Sequence, residues 1–264
     1  MLRSFISLFI LFICIAGRSQ SDSLTVKSKD SVKFSQRYGL RIGIDLSKPI
    51  RGLLDENYNG LEFVADFRVT NRLYIAAEVG NEEFTGNEIL DNTDNINIVE
   101  LYNYTTSGSY LKLGVDFNTY ENWYGMSNAI FIGGRYAGST FSQTLNSNTV
   151  YDSNRYWLPD GFAVGQSAPN EFKSLNATWL EILFGIKVEL FNNFYLSASA
   201  RLAYLFTNKE SEVFPNLWIP GYGRVSDNSN FGANYNYTIS YFIPLFQMKP
   251  KKPKKPKEDV PVSE

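Results

Sequence analysis

The sequence predicts an all-β fold, an eight-stranded antiparallel up-and-down transmembrane β-barrel with short periplasmic turns and long extracellular loops. Three observations carry this. Eight segments keep apolar residues on one parity and charged or small residues on the other, the mark of a two-sided strand. The connections between them alternate long and short. The chain also opens on a segment of secretory character, with Arg3 ahead of an apolar run from Phe5 to Ala16.

That opening run is too short to cross a membrane as a helix, which takes roughly 20 residues. Gly17-Arg18-Ser19 supplies a small-x-small cleavage site, so 1–19 reads as a signal peptide removed on secretion. Cys14 sits behind Leu11-Phe12-Ile13, not behind the small residues of a lipoprotein signal, and is expected to leave with the peptide. The mature chain then holds no cysteine and no disulfide framework. Residues 20–37 are polar and read as a flexible periplasmic lead-in to a barrel over 38–246. The 17 Tyr, 20 Phe and 4 Trp suit pleated, half-exposed surfaces.

Strand one, Tyr38 to Leu46, sets Leu40, Ile42, Ile44 and Leu46 opposite Arg41, Gly43 and Asp45, and Pro49 and Gly52 break it. Strand two, Gly60 to Val69, sets Leu61, Phe63, Ala65, Phe67 and Val69 opposite Glu62, Asp66 and Arg68. After a tight turn at Thr70-Asn71-Arg72, strand three runs from Leu73 to Gly80 with Glu78 on its polar face. A long polar connection, Asn81 to Ser107, leads to strand four, where Leu111, Leu113, Val115 and Phe117 oppose Lys112 and Asp116. Ile96 to Tyr104 also has an extended pattern, so this strand is expected to reach beyond the membrane.

An aromatic connection, Asn118 to Ser127, precedes strand five, Ala129 to Gly138, where Ile130, Ile132 and Tyr136 oppose Gly133 and Arg135. Ser139 to Ala177 is the longest connection. Strand six, Thr178 to Leu190, alternates Leu180, Ile182, Phe184, Ile186, Val188 and Leu190 with Glu181, Gly185, Lys187 and Glu189. Phe191-Asn192-Asn193 turns into strand seven, which reaches Phe206 and carries Ser197, Ser199 and Arg201 on its polar face. A Pro-containing loop leads to strand eight, Ala233 to Leu245, with Tyr235, Tyr237, Ile239, Tyr241 and Ile243 opposite Asn236, Thr238 and Ser240.

With the short turns periplasmic and the long loops outside the cell, Tyr120, Trp123, Tyr124, Phe194 and Tyr241 fall at one rim. Phe84, Tyr136, Tyr204 and Tyr235 fall at the other, giving two aromatic girdles. A soluble eight-stranded barrel with its apolar face inward would show the same alternation. The Gly, Ser and Ala of the polar face, the asymmetric loops and the aromatic strand ends favour the membrane form, while Trp179, Phe131 and Leu183 on the polar parity count against it.

Several blocks have a distinctive wording: YGLRIGIDLSKPIR (38–51), AAEVGNEE (76–83), GSYLKLGVDFN (108–118), STFSQTLNS (139–147), EFKSLNATWLE (171–181) and FGANYNYTISYFIPLF (231–246). Together they resemble an uncharacterised family of small Bacteroidota outer-membrane β-barrel proteins, across nearly all of the mature chain except its lysine-rich end. The resemblance implies a fold and a location. It brings no catalytic residues.

On the polar face, Arg41, Arg68, Lys112, Arg135, Lys187 and Arg201 meet Asp45, Glu62, Asp66, Glu78, Asp116, Glu181 and Glu189, six positive against seven negative. The interior of an eight-stranded barrel is wide enough only for side chains, and a buried unpaired charge is costly. An ion-paired, essentially closed lumen follows, with a narrow ion or proton path as the alternative.

No histidine is present, so the outer-membrane hydrolase and acyltransferase arrangements that pair histidine with Ser or Asp are unavailable. Without a mature cysteine, thiol catalysis and the usual zinc sites drop out as well. No acid pair stands out for glycoside hydrolysis. The expectation is a non-catalytic protein with no cofactor, working through its loops.

Glu82, Glu83, Glu88, Asp91, Asp94 and Glu100 make loop two anionic, either a solvated surface or a bridge through divalent cations to lipopolysaccharide. Tyr151, Tyr156, Trp157 and Phe162 in loop three, with Phe214, Trp218 and Tyr222 in loop four, suit either carbohydrate or protein contact or a lid over the mouth. Residues 247–264 form a Lys/Pro-rich tail that cannot build a core and is expected to be disordered in the periplasm. Its stretch Lys249 to Lys257 either solubilises the chain or touches cell-wall polymer or an acidic partner, and the compartment rules out nucleic acid. Asp22-Ser23-Leu24 and Asp30-Ser31-Val32 match a short O-glycosylation pattern of Bacteroidota.

Overall fold

The computed structural model describes residues 36–91, 98–119, 128–152, 161–166, 169–226 and 228–248. The expected signal segment, Cys14, the triplets that match a glycosylation pattern, the Lys/Pro-rich tail and the expected rim residues Tyr120, Trp123 and Tyr124 lie outside them. All the described residues belong to one compact unit, Ser35–Glu264.

Eight strands are antiparallel to their sequence neighbours, and their hydrogen bonds form a ring. These are β1 (Gln36–Asp45), β2 (Tyr58–Arg68), β3 (Leu73–Asp91), β4 (Ile98–Asn118), β5 (Ala129–Asp152), β7 (Asn170–Phe191), β8 (Phe194–Lys209) and β11 (Phe231–Met248). First pairs with last, from Gln36 against Met248 to Asp45 against Thr238, so the sheet has no edge along this stretch. Three further short strands are not members of the ring: β6 (Gly161–Gln166), which pairs antiparallel with the last residues of β5, and β9 (Trp218–Ile219) with β10 (Gly223–Arg224), which form a small hairpin.

The two faces sort as the alternation predicts. Ile182, Leu202, Phe184 and Ile75 point outward at 68%, 63%, 55% and 54% exposure. Arg41, Glu78, Lys112, Arg135, Glu181 and Arg201 are buried on the inside. An inverted fold with the aliphatic side chains converging on the axis is therefore overturned. Trp179, Phe131 and Leu183 lie inside with the charges, where the interior has room for them: Phe131 packs against Gly185, where a Cβ would come within 2.6 Å of its ring. Outward-facing rings cluster at the strand ends, with Phe194 edge-on to Tyr241 and Tyr204 edge-on to both Phe206 and Phe231. Phe84 departs from expectation. It shares the inward parity of Glu78 and Glu82, and its ring lies 4.3 Å from that of Trp218.

Two expected loops are largely sheet. The β3 and β4 strands stay paired from Leu73 against Phe117 out to Asp91 against Ile98, so most of Asn81 to Ser107 is a hairpin. β5 likewise runs on to Asp152, and β7 begins at Asn170. The outward face of these extensions is polar, with Asn81, Glu83 and Thr85 on β3 and Thr140, Ser142 and Thr144 on β5, while Phe141, Leu145 and Leu175 turn inward, so the outward apolar row that marks the rest of each strand is missing. Their outer face is stitched by side chains instead: Thr85 and Thr105 hydroxyls meet at 2.9 Å, and the Asn146 amide donates to Asn103 and Thr105.

The segment after β1 is a helix, α1 (Ser47–Leu54), not a simple break. Pro49 sits in its first turn, where a missing N–H costs nothing. The Asp45 carboxylate accepts from the Ser47 backbone N–H at 3.0 Å and the Ser47 hydroxyl at 2.7 Å, satisfying the helix start. Its apolar residues Leu53 and Leu54 are exposed, while its cationic residues turn toward the ring.

Candidate functional site

Inside the ring the charged side chains form stacked layers, and the register of the strands sets each layer. At the end of the ring where β1 begins, Arg37 donates to Glu189 at 3.1 Å, and Arg68 donates to the backbone carbonyls of Arg37, Thr70 and Asn71. Next, Asp66 accepts from Arg41 at 2.7 Å and from Lys187 at 2.6 Å. The central layer is a chain of alternating sign. Asp116 accepts a fork of two bonds from Arg135 at 2.6 and 3.0 Å, Arg135 Nε donates to Glu78 at 2.9 Å, and Arg201 bridges Glu78 (2.6 and 3.1 Å) to Glu181 (3.1 Å). Glu181 also accepts from Lys112 at 2.9 Å and from the Trp179 indole at 2.8 Å. Glu62 and Asp45 lie further out and take neutral donors: Tyr110 donates to Glu62 at 2.6 Å, and the Asn236 amide reaches both carboxylates.

Arg41, Asp45, Glu62, Asp66, Arg68, Glu78, Lys112, Asp116, Arg135, Glu181, Lys187, Glu189 and Arg201 all lie on the inward parity of their strands. Parity placed them, and register decided their partners.

Above the charges, two inserted pieces of chain close the outer half. One is the β9–β10 hairpin. Ile219 and Tyr222 pack with Tyr110, Ala137, Phe141, Leu175, Ala177, Trp179, Ala203 and Leu205 in an apolar cluster. Gly221 makes the tight bend, with φ +83° and its Cα against the Tyr110 ring, where any Cβ would lie 2.5 Å away. The other piece is α1. Its Arg51 guanidinium lies 4.2 Å from the Tyr58 ring centroid, 4.8 Å from that of Trp218 and 5.5 Å from that of Phe84.

Both pieces meet at Glu82, which is buried. Its carboxylate takes Lys48 of α1 and the backbone N–H of Gly221 in the hairpin, the latter at 3.1 Å. Burial works against the charged form of Lys48, but the adjacent Glu82 carboxylate, together with Tyr58 and Glu62, outweighs burial and holds its pKa well above the ordinary value. Glu82→Gln should therefore loosen both pieces at once, by roughly 1.5 to 3 kcal/mol for the charge-assisted bonds lost. Hydrogen exchange should then quicken in Ser47–Leu54 and around Gly221 while the ring strands keep their protection.

In loop four the aromatic residues turn toward the ring. Trp218 and Tyr222 are buried, and Phe214 packs on Tyr102 and Tyr104. For loop three, Tyr156 and Trp157 lie outside the described residues, as do the side chains of Tyr151 and Phe162. Glu82 leaves the anionic loop for the interior, whereas Glu83, Glu88 and Glu100 are exposed strand residues. Asp94 and the side chain of Asp91 fall outside the described residues. Among the described residues, no group of three or more Asp or Glu is placed to hold a metal ion.

Several interior residues escaped the sequence reading. Glu82 was legible, because it continues the parity of Glu78 and Gly80. Arg37 and Lys48 carried no such signal, since one precedes and the other follows a strand pattern, and Tyr110 is uncharged although it shares the parity of Lys112.

The class defined by these features is a closed ring of eight antiparallel strands with a charge-paired interior and two inserted plugs. The family described as Domain of unknown function (DUF6048) matches residues 1–248, and the chain belongs to that family. No curated protein and no solved structure matches it.

Proposed function

We propose that the protein is a non-catalytic outer-membrane β-barrel with an essentially closed lumen, delivered by a cleaved signal peptide. It serves envelope structure or binding at the cell surface. The observation that carries this reading is the outward belt of aliphatic and aromatic side chains around all eight strands, wrapped about an interior of buried ion pairs. Water would have to cover that belt at a cost of about 25 cal/mol per Å² of apolar surface, whereas lipid covers it without cost.

With short turns in the periplasm, the plugs and the extended β3–β4 and β5 strands stand at the extracellular end. Because loop four is spent on plugging, the working surface is the exposed part of those strands together with loop three, facing lipopolysaccharide and the medium. The cationic stretch from Lys249 to Lys257 then hangs in the periplasm, within reach of cell-wall polymer or an acidic partner. A channel or small-solute transporter is the second reading, and the crossed ion pairs of the central layer argue against it.

Envelope fractionation tests the reading directly. The protein should sediment with outer membranes and run faster on SDS gels unboiled than boiled. Planar bilayers holding it should show no stable conductance steps. Recovery in the soluble periplasm would reject the membrane assignment, and regular single-channel steps would favour the transporter.

A further inference from the structure

Two cations share one carboxylate in the inner half of the ring. Arg41 and Lys187 donate to the two oxygens of Asp66 at 2.7 and 2.6 Å. The neighbouring chain balances, with Lys112, Arg135 and Arg201 bonded to Glu78, Asp116 and Glu181. Three cations against three carboxylates there, and two against one at Asp66, leave one positive charge in surplus. Asp45 and Glu62 do not cancel it at bonding distance, because they lie in the outer half and are held by Asn236 and Tyr110.

Beside that surplus is a cavity of about 40 Å³. Room for one water-sized occupant takes roughly 10 to 15 Å³, so two or three fit. Lys187, Arg201 and Ser240 line it. The carboxylates on its wall, Asp66, Glu78 and Asp116, are each bonded to cations already. Two polar atoms of the lining have no hydrogen-bond partner: Arg201 Nε and Ser240 Oγ, on side chains that are buried. Native interiors leave few such atoms without a reason.

We infer that this cavity is a binding site for a small monovalent anion of chloride size, held by the Lys187 ammonium, the Arg201 Nε–H and the Ser240 hydroxyl. Water would satisfy the two donors and leave the surplus charge buried. A halide answers both needs, and a divalent anion would exceed the single charge to be neutralised. Bound there, the anion gives the two cations at Asp66 a second counter-charge and ties β7, β8 and β11 together.

The test uses the purified full chain crystallised in sodium bromide, with the bromide located by its anomalous scattering. A bromide peak among Lys187, Arg201 and Ser240 is expected, and it should vanish in Lys187→Met, which leaves one cation per carboxylate at Asp66. In solution, the unfolding temperature of the unaltered protein should rise with the logarithm of chloride or bromide when either replaces gluconate at constant ionic strength. Ser240→Ala, a mild change, should weaken that dependence severalfold. Only waters in the cavity, a peak that survives Lys187→Met, or an unfolding temperature indifferent to halide would each overturn the inference. None of these outcomes depends on whether lipid surrounds the ring.

Discussion

Arginine in place of Phe184 is expected to keep the protein out of the outer-membrane fraction and to abolish the fast-running unboiled band. Phe184 sits midway along the outward row of β7, between Leu180 and Leu190, and is 55% exposed. In lipid, an arginine at the middle of such a row costs roughly 2 to 4 kcal/mol and must be carried through assembly. In water, a change at an exposed position away from any special feature is usually worth less than about 0.5 kcal/mol. The two surroundings thus predict opposite results from one substitution. Thr140→Arg serves as the control. It is an exposed residue of β5 beyond the apolar belt, and the change should leave both fractionation and gel mobility as they were. If Phe184→Arg folds and fractionates like the unaltered chain, the lipid belt is wrong.

The second large effect is expected at Glu78. This carboxylate accepts three bonds, one from Arg135 and two from Arg201, and it is buried. Glu78→Ala leaves two guanidinium groups facing each other with their shared counter-charge gone. Removing one partner from a buried pair costs roughly 3 to 5 kcal/mol. The loss should appear as a lower urea midpoint, or a lower temperature for conversion of the fast band to the slow one. Glu78→Ala combined with Arg201→Met should recover part of it, because an apolar group is cheaper to bury than an unpaired charge. Equal losses in the single and double variants would mean that the pair is not coupled.

Much of the fold was legible before any coordinates. Period-two alternation located all eight ring strands, and parity assigned the interior charges to the inside except Arg37, Lys48 and Glu82, because in a strand successive side chains must point to opposite faces. What it missed was consistent in kind. The described parts of Asn81 to Ser107 and Ser139 to Ala177 lose the outward apolar row where they extend beyond the belt, and their apolar residues such as Phe141 and Leu175 turn inward, so they looked like loops although their backbones remain paired. Phe84 was placed by its aromatic character instead of its parity, and parity was the better guide. Helix α1 was hidden by Pro49 and Gly52, two residues that signal a break in a strand but are tolerated in a short helix.

By itself, then, the sequence determined which face of each strand carries charge and which carries hydrocarbon, since that depends only on the two-residue repeat of an extended backbone. Which cation meets which carboxylate depended on register across the ring: Glu78 and Arg201 are 123 positions apart in the chain, and only the closed sheet brings them to 2.6 Å. The same holds for the plugs. Nothing local marks Trp218 and Tyr222 as interior residues rather than a contact surface, because their burial is created by walls contributed by distant strands.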